Sequence, residues 1–278
     1  MGLTVLSLNV WNGRRHDELL EYLSRQSAEV DIFCLQEMSS TDTVIAADRT
    51  DQSVNLLQDF RAALANFEGY FAPVCQLLGV AADGIHVEFA FQVGLAMFIR
   101  RTLPLLSPPE NVFVFGEYNK PVRMENKYRT QLRPHPFILA PPRTLQYVAV
   151  EYGGEPYLVY NFHGLWNGGP KVDTDERLKQ SQRIRELLEH HRSYKKIFVG
   201  DFNLNLETVS LEMIEEAGGF RNLVFEYGIG TTRSVLYLER DRSPFADYAL
   251  VSEDVRVTSF EVPKVAVSDH LPLIVHIE

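Results

Sequence analysis

The segment Val30-Asp-Ile-Phe-Cys-Leu-Gln36 limits most tightly what this chain can fold into. It is too continuous in apolar residues for a strand with one wet face, so it predicts a strand covered on both sides. Such a sheet needs further layers against it. The rest of the chain supplies them: strand-like runs fall at 3–10, 69–74, 89–100, 111–115, 197–200, 246–251, 255–262 and 271–277. Residues 145–152 and 156–162 read as a hairpin closed by Gly153-Gly154. Helical spacing marks 16–28, 53–66, 175–191 and 209–217, the last closed at its C-cap by Gly218-Gly219. The polar, Pro-punctuated stretch from 116 to 143 reads as a long loop. Hairpins mixed with βα units predict a mixed sheet. With 278 residues, no repeat and no low-complexity linker, one domain over 1–278 is expected.

Composition narrows the function classes. No apolar run reaches the roughly 18 residues of a membrane-spanning helix, so no membrane insertion is expected. A net charge of −10 argues against a general polyanion binder. Cys34 and Cys75 are the only cysteines. They fit a reducing compartment, with Cys34 read as a small buried hydrophobe. The first residues already alternate like a strand, leaving no room for a signal peptide, and Leu6 breaks the myristoylation pattern. A cytoplasmic monomer is the default expectation.

Polar residues gather where strands end. Asn9 closes the first strand, Glu37 the second, and Asn161 and His163 the hairpin. Asp201 and Asn203 follow the strand at 197–200, Asp247 opens a late strand, and Asp269-His270 precedes the last. Strand ends on a rigid scaffold are where sites are assembled. Taken singly, Asn9 or Asn203 reads as a turn residue, Asp201 as an N-cap, and His163 as a hydrogen-bonded structural histidine. Glu37 is harder to absorb, because a carboxylate ending a buried strand needs a partner or a cation.

Taken together, Leu8-Asn9-Val-Trp11, Leu35-Gln36-Glu37, Asn161-Phe-His163, Gly200-Asp201-Phe-Asn203, Ala246-Asp247-Tyr248 and Ser268-Asp269-His270 resemble the motifs of the endonuclease/exonuclease/phosphatase superfamily. The resemblance runs from residue 3 to 277. It implies a four-layer α/β/β/α sandwich, two mixed sheets face to face with helices outside, and a phosphoester hydrolase. The chemistry of the residues points the same way. Hydrolysing a phosphate ester means neutralising a highly charged transition state and aligning a water with the leaving oxygen. A hard cation, Mg²⁺ or Mn²⁺, meets the first need, with Glu37 as the best ligand and Asn9 and Asp269 close by. Asp201 would orient or deprotonate the water, and Asn203 would position it or a phosphate oxygen. His163 and His270 would donate to phosphate oxygens, with Asp247 holding the second nitrogen of His270. The resemblance assigns the same roles to these positions and leaves one cation or two open.

Departures from the family narrow the substrate. His163 follows the deoxyribonuclease I, phosphatase and sphingomyelinase branches rather than the abasic-site branch. The leader and disulfides of secreted deoxyribonucleases are missing, as are the additional motifs of inositol polyphosphate 5-phosphatases. Between Lys120 and Arg143 six basic residues, Arg129 and Arg133 among them, face one acid, Glu125, with Tyr128 interleaved. That pattern suits a phosphorylated or single-stranded substrate, or else a solvated loop. Thr232 and Arg233 fall where relatives carry substrate-side residues, and Arg233 suits a bidentate phosphate clamp. The expected function is a metal-dependent phosphodiesterase acting on nucleic acid, single-stranded or locally exposed, or on a nucleotide-containing diester. The alternatives are a phosphatase or phospholipase-type hydrolase of a small or lipid phosphoester and, remotely, a binding module without catalysis, which the complete residue set disfavours.

Overall fold

The computed structural model describes residues 2–43, 54–80, 86–123, 142–238 and 243–278. Thirteen strands there form two mixed sheets. The first contains β1 (Leu3–Asn9), β2 (Ile32–Ser40), β3 (Phe67–Val80), β4 (His86–Arg100), β6 (Asn119–Arg123), β12 (Val257–Glu261) and β13 (Leu273–Ile277), ordered β12-β13-β1-β2-β4-β3-β6. The second contains β5 (Glu110–Phe115), β7 (Arg143–Tyr152), β8 (Glu155–His163), β9 (Lys195–Asp201), β10 (Phe220–Asn222) and β11 (Asp247–Ser252), ordered β10-β11-β9-β8-β7-β5. Helices α1 (His16–Gln26) and α2 (Leu56–Ala63) cover the outer face of the first sheet, burying Leu19, Leu23, Leu57 and Phe60 against Leu6, Leu8, Phe33 and Leu35. On the far side α3 (Asp175–His190) and α4 (Val209–Gly218) bury Ile184, Leu188, Leu211 and Ile214 in the other main core. Helix α5 (Leu223–Glu226) is a single turn. This is the four-layer sandwich that the resemblance implied.

The two-residue period of a strand explains how β1 and β2 serve two layers at once. Leu3, Val5, Ile32 and Cys34 face the second sheet, while Leu6, Leu8, Phe33 and Leu35 face the helices. Ser7 and Gln36 continue the inter-sheet rows with polar atoms. Gln36 Nε2 donates to Ser7 Oγ (3.2 Å) and to Asn161 Oδ1 on the opposite sheet (2.7 Å). Asn161 Nδ2 in turn reaches Leu35 O (3.2 Å), Ala96 O (3.1 Å) and Gln146 Oε1 (3.3 Å). This buried polar clasp fixes the register of sheet on sheet just beneath the strand ends.

Several expectations need correction. Glu37 does not end its strand: a bulge interrupts the β2–β4 register between Leu35 and Met38, and pairing resumes through Ser40. The stretch read as a loop to Arg143 begins with β6, paired in parallel with β3, and ends before Arg143, which opens β7. Proline-rich composition hid these ladder residues. Arg129 and Arg133 lie outside the described residues. Strands β3 and β4 extend well beyond 69–74 and 89–100, and β10 and α5 were not anticipated because three or four residues carry no period. Among the described residues, no helix is long and apolar enough to cross a membrane. Gly153-Gly154 turns the β7–β8 hairpin with both residues at positive φ, and Gly219 caps α4 in the left-handed conformation.

Candidate active site

Strand register brings the polar residues together. His163, Asp201 and Asp247 are direct neighbours across β8, β9 and β11. In the facing sheet Asn9 pairs with Gln36, so Glu37 stands one residue beyond it. Gly200 permits the tight β8–β9 approach: its φ is 148°, and a Cβ there would meet Phe162 O at 2.0 Å. Three left-handed residues, Trp11, Asn12 and Gly13, turn the chain after β1, and Glu37 (φ 58°) and Asn203 (φ 53°) are left-handed as well. Left-handed non-glycine residues cost about 1–3 kcal/mol each and persist where the surroundings over-determine them.

Asp201, 2% exposed, is the hub. Its Oδ2 accepts from Asn9 Nδ2 (3.0 Å) and lies 3.7 Å from both His163 Nε2 and His270 Nε2. Its Oδ1 accepts from the Asn203 amide (3.0 Å). Burial alone would raise its pKa, but the two histidines, Lys171 and Arg233 outweigh that and hold it far below the usual carboxylate range. Asp201 is therefore a carboxylate at neutral pH.

His270 Nδ1 lies 2.8 Å from both oxygens of Asp247. Burial disfavours its cation, yet Asp247 and Asp201 outweigh burial and the Arg233 guanidinium, so the net shift is upward. Arg233 Nη1 meanwhile rests against His270 Nε2. An anion entering between them would let both groups donate. His163 behaves oppositely: burial first, then Arg143, push it down to about 3, so it is a neutral imidazole.

The expected metal ligands also converge. Asn9 Nδ2 donates to Glu37 Oε1 (3.1 Å), and Asn12 donates to Glu37 Oε2. Burial, then the charges of Asp269 and Asp201, raise the Glu37 pKa; burial and neighbouring carboxylates likewise raise that of Asp269. Crowded, partly buried carboxylates of this kind favour a hard divalent cation. Glu37 and Asp269 fit that role by donor chemistry. Asn9 is placed differently from the expectation: its Oδ1 accepts from Trp11 N (2.9 Å) and its amide holds Glu37 and Asp201, making it an organiser of the carboxylates. Ligand atoms of Asp201, Asp247 and His270 also lie within 4.8 Å of one another, joined by the Asp247–His270 hydrogen bond and a 3.7 Å approach of Asp201 to His270.

Thr232 also departs from its expected substrate-side place. It is fully buried, and its Oγ1 accepts from the amides of Ala246 (3.2 Å) and Asp247 (3.3 Å), so it holds the start of β11. Arg233 does face the site, stacked 4.2 Å over the Tyr237 ring. Lys171 and Asn12 escaped sequence reading, and Arg143 was read only as the end of a basic loop. Arg143, 7% exposed, is a cation near Asp201 and Glu37, pushed down to about 10 mainly by burial and so still charged at neutral pH. Lys171, 2% exposed, adds positive charge beside Asp201 and His163. Asn12 steadies Glu37. Nothing in the sequence distinguishes Arg143 from its basic neighbours upstream; only its position directly before a strand hinted at burial.

The sequence pattern of the Endonuclease/Exonuclease/phosphatase family matches residues 6–270, from β1 through His270. The chain belongs to that family. Its fold is shared by solved structures of low identity. An endonuclease/exonuclease/phosphatase family protein from Leptotrichia buccalis is 20% identical over 99% of both chains, with a TM-score of 0.66. A mannosyl-6-phosphatase from Bacteroides thetaiotaomicron is 16% identical over 99% of both chains (TM-score 0.65). D. rerio TDP2, complexed with a single strand DNA product, is 15% identical over all of this chain and 99% of its own (TM-score 0.58). No curated protein matches by sequence. Members of the endonuclease/exonuclease/phosphatase family are phosphoester hydrolases, and this chain is an enzyme of that class.

Proposed function

We propose that the chain is a Mg²⁺- or Mn²⁺-dependent phosphodiesterase acting on nucleotide-containing diesters, either small molecules or single-stranded or locally exposed nucleic acid. One observation carries the reading. Asp201 is held ionised between two histidines, with its oxygens fixed by Asn9 and the Asn203 amide. A divalent ion bound by Glu37 and Asp269 would supply charge stabilisation to the phosphate. Asp201 accepts a hydrogen bond from the attacking water and aligns it. Its low pKa makes it an orienting acceptor first and a proton acceptor only as the transition state develops. Asn203, whose Nδ2 is committed to Gly164 O (3.3 Å), offers Oδ1 to that water.

The phosphate's non-bridging oxygens meet donors on several sides. His163 donates as a neutral imidazole, and Arg143 and Lys171 contribute buried positive charge. A phosphate oxygen entering between Arg233 and His270 replaces their mutual contact with two donations. Asp247 holds His270 by Nδ1 and supports its cation, which suits Nε2–H to stabilise or protonate the leaving oxygen. A substrate gripped locally in this way is compatible with a net charge of −10, which disfavours tight non-specific duplex binding. The two buried, unbonded thiols support a reducing, cytoplasmic setting as part of the same proposal.

The test is a panel with Mg²⁺ and then Mn²⁺: single- and double-stranded DNA, RNA, nucleotide diesters, bis-p-nitrophenyl phosphate, inositol phosphates and sphingomyelin. Fastest turnover on nucleotide diesters or single strands is expected. Turnover confined to phosphomonoesters or to a lipid ester would replace the reading with the corresponding phosphatase or phospholipase.

A further inference from the structure

A cavity of about 470 Å³ opens beside Arg233, within the size range of small-molecule sites. It starts next to the catalytic histidine, because Arg233 and His270 are backbone bridge partners. Three of its hydroxyls have already spent their protons. Thr231 Oγ1 donates to Pro244 O (2.8 Å), Ser243 Oγ to Phe245 O (2.8 Å) and Ser234 Oγ to Ser268 O (2.5 Å). Thr231 Oγ1 and Ser234 Oγ also accept from the backbone amides of Arg233 (3.0 Å) and Leu236 (3.1 Å), so each keeps one lone pair, which repels a second phosphate and welcomes N–H or O–H donors. Arg233 Nε is buried without a hydrogen-bond partner among the described residues. The guanidinium lies over the Tyr237 ring, making a flat platform, and Leu238 and Pro244 complete the wall with apolar surface.

We propose that this cavity receives the base of a nucleoside attached to the scissile phosphate, a proposal that rests on the hydrolase reading above. A base combines a flat face with an edge that alternates donors and acceptors, which matches a guanidinium–phenol platform bordered by hydroxyl oxygens. A polyol is served less well, since none of the described residues lining the cavity is a carboxylate. A lipid tail is served worse, since polar groups make up most of the lining. The cavity thus selects a substrate with a single base next to the reacting phosphate, a nucleotide ester or the exposed end of a strand.

Two measurements test this. The first needs no catalysis. Calorimetry on the full chain in EDTA compares thymidine 5′-monophosphate and adenosine 5′-monophosphate with ribose 5-phosphate, mannose 6-phosphate and inorganic phosphate. At least one nucleotide should bind tenfold or more tighter than ribose 5-phosphate, and Leu238→Asn, a change at a highly exposed side chain, should remove most of that margin. Equal affinity for nucleotides and ribose 5-phosphate overturns the proposal, as does tighter binding of mannose 6-phosphate. The second takes the ratio of kcat/KM for thymidine 5′-p-nitrophenyl phosphate to that for methyl p-nitrophenyl phosphate. A ratio of ten or more that falls severalfold in Leu238→Asn and in Tyr237→Ala supports a base subsite, and a ratio unmoved by both variants refutes it. Base-selective binding without hydrolysis of any ester would sink the proposed function and leave the subsite standing.

Discussion

At the residue scale the sharpest expectations concern charge. Asp201→Ala should leave the thermal unfolding curve near wild type while lowering kcat by about 10²–10⁴, the usual worth of a positioned acid–base group. Near-wild-type kinetics would remove Asp201 from the mechanism. Arg143 has one backbone position from which its cation can reach the carboxylates, at the start of β7. Arg143→Met keeps its bulk and removes its charge, so kcat/KM should drop about 10- to 100-fold, a charged hydrogen bond being worth roughly 1.5–3 kcal/mol. An unchanged kcat/KM would return it to a structural role. Arg143 shows where sequence reading ends. It closes a stretch of like basic residues, and only the register of β7 reveals it as a buried cation. Asp201, Asp247 and His270 were legible because each flanks a strand with a readable apolar run. Thr232 and Asn9 were legible as site members but not in role, since the direction of a hydroxyl or amide is set by backbone atoms distant in sequence.

At the element scale, the segment between β8 and α3 carries Lys171 and is stitched from behind. Arg177 on α3 is fully buried and donates to Leu165 O (3.3 Å), Pro170 O (2.7 Å) and Val172 O (2.5 Å). Gln180 Oε1 accepts from Leu165 N (3.0 Å). Arg177→Met would strand three carbonyls and should cost about 3 kcal/mol in urea denaturation, at the upper range for unsatisfied buried groups. It should also loosen Lys171 and raise KM more than it lowers kcat. A fall in stability with unaltered kinetics would separate that segment from the site. Several elements long enough to show a period were predicted within a few residues: α1, α3, α4, β7 and β8 all lie where the spacing put them. The bulge at Glu37 left no trace in sequence, because a bulge is a mismatch between two strands and one strand alone cannot reveal it.

At the scale of the whole molecule, titration and metal binding act on one stability. His16 joins α1 to α2, with Nδ1 3.0 Å from Asp17 and Nε2 3.1 Å from Asp59. The Asp59 hydrogen bond raises its pKa against burial, aided by Asp17. A raised folded-state value means this contribution is complete below the unfolded value of about 6.5 and is lost as pH rises through the folded one. His163 contributes with the opposite sign. Depressed to about 3, it takes up a proton in the unfolded chain first, so stability falls as pH drops from about 6.5 towards 3. His163→Gln should flatten the acid limb of a Tm–pH curve, and His16→Gln the neutral limb; a curve unaltered by either variant contradicts the assignment.

The buried carboxylates add a further term to that stability. Glu37 and Asp269 are raised by burial and by their acidic neighbours, so part of the −10 net charge is concentrated where it opposes folding. A divalent ion bound there relieves that repulsion and, being bound only by the folded state, stabilises by about 2.7 kcal/mol at a hundredfold excess over Kd. For a chain of this length a stabilisation of that size should raise Tm by several degrees, since about 1 kcal/mol moves Tm by roughly 2–4 °C in domains of 150–250 residues. The increment should shrink as pH falls and the carboxylates protonate, because the ion competes with protons for the same oxygens. In Glu37→Gln the Mg²⁺-dependent rise should move to higher Mg²⁺ concentration, while apo Tm should stay level or increase as one buried charge disappears. An unchanged Mg²⁺ titration in that variant would rule out Glu37 as a ligand. A fall in apo Tm would show that the Asn9 and Asn12 hydrogen bonds to the carboxylate outweigh the repulsion, making Glu37 a net support of the fold without the ion.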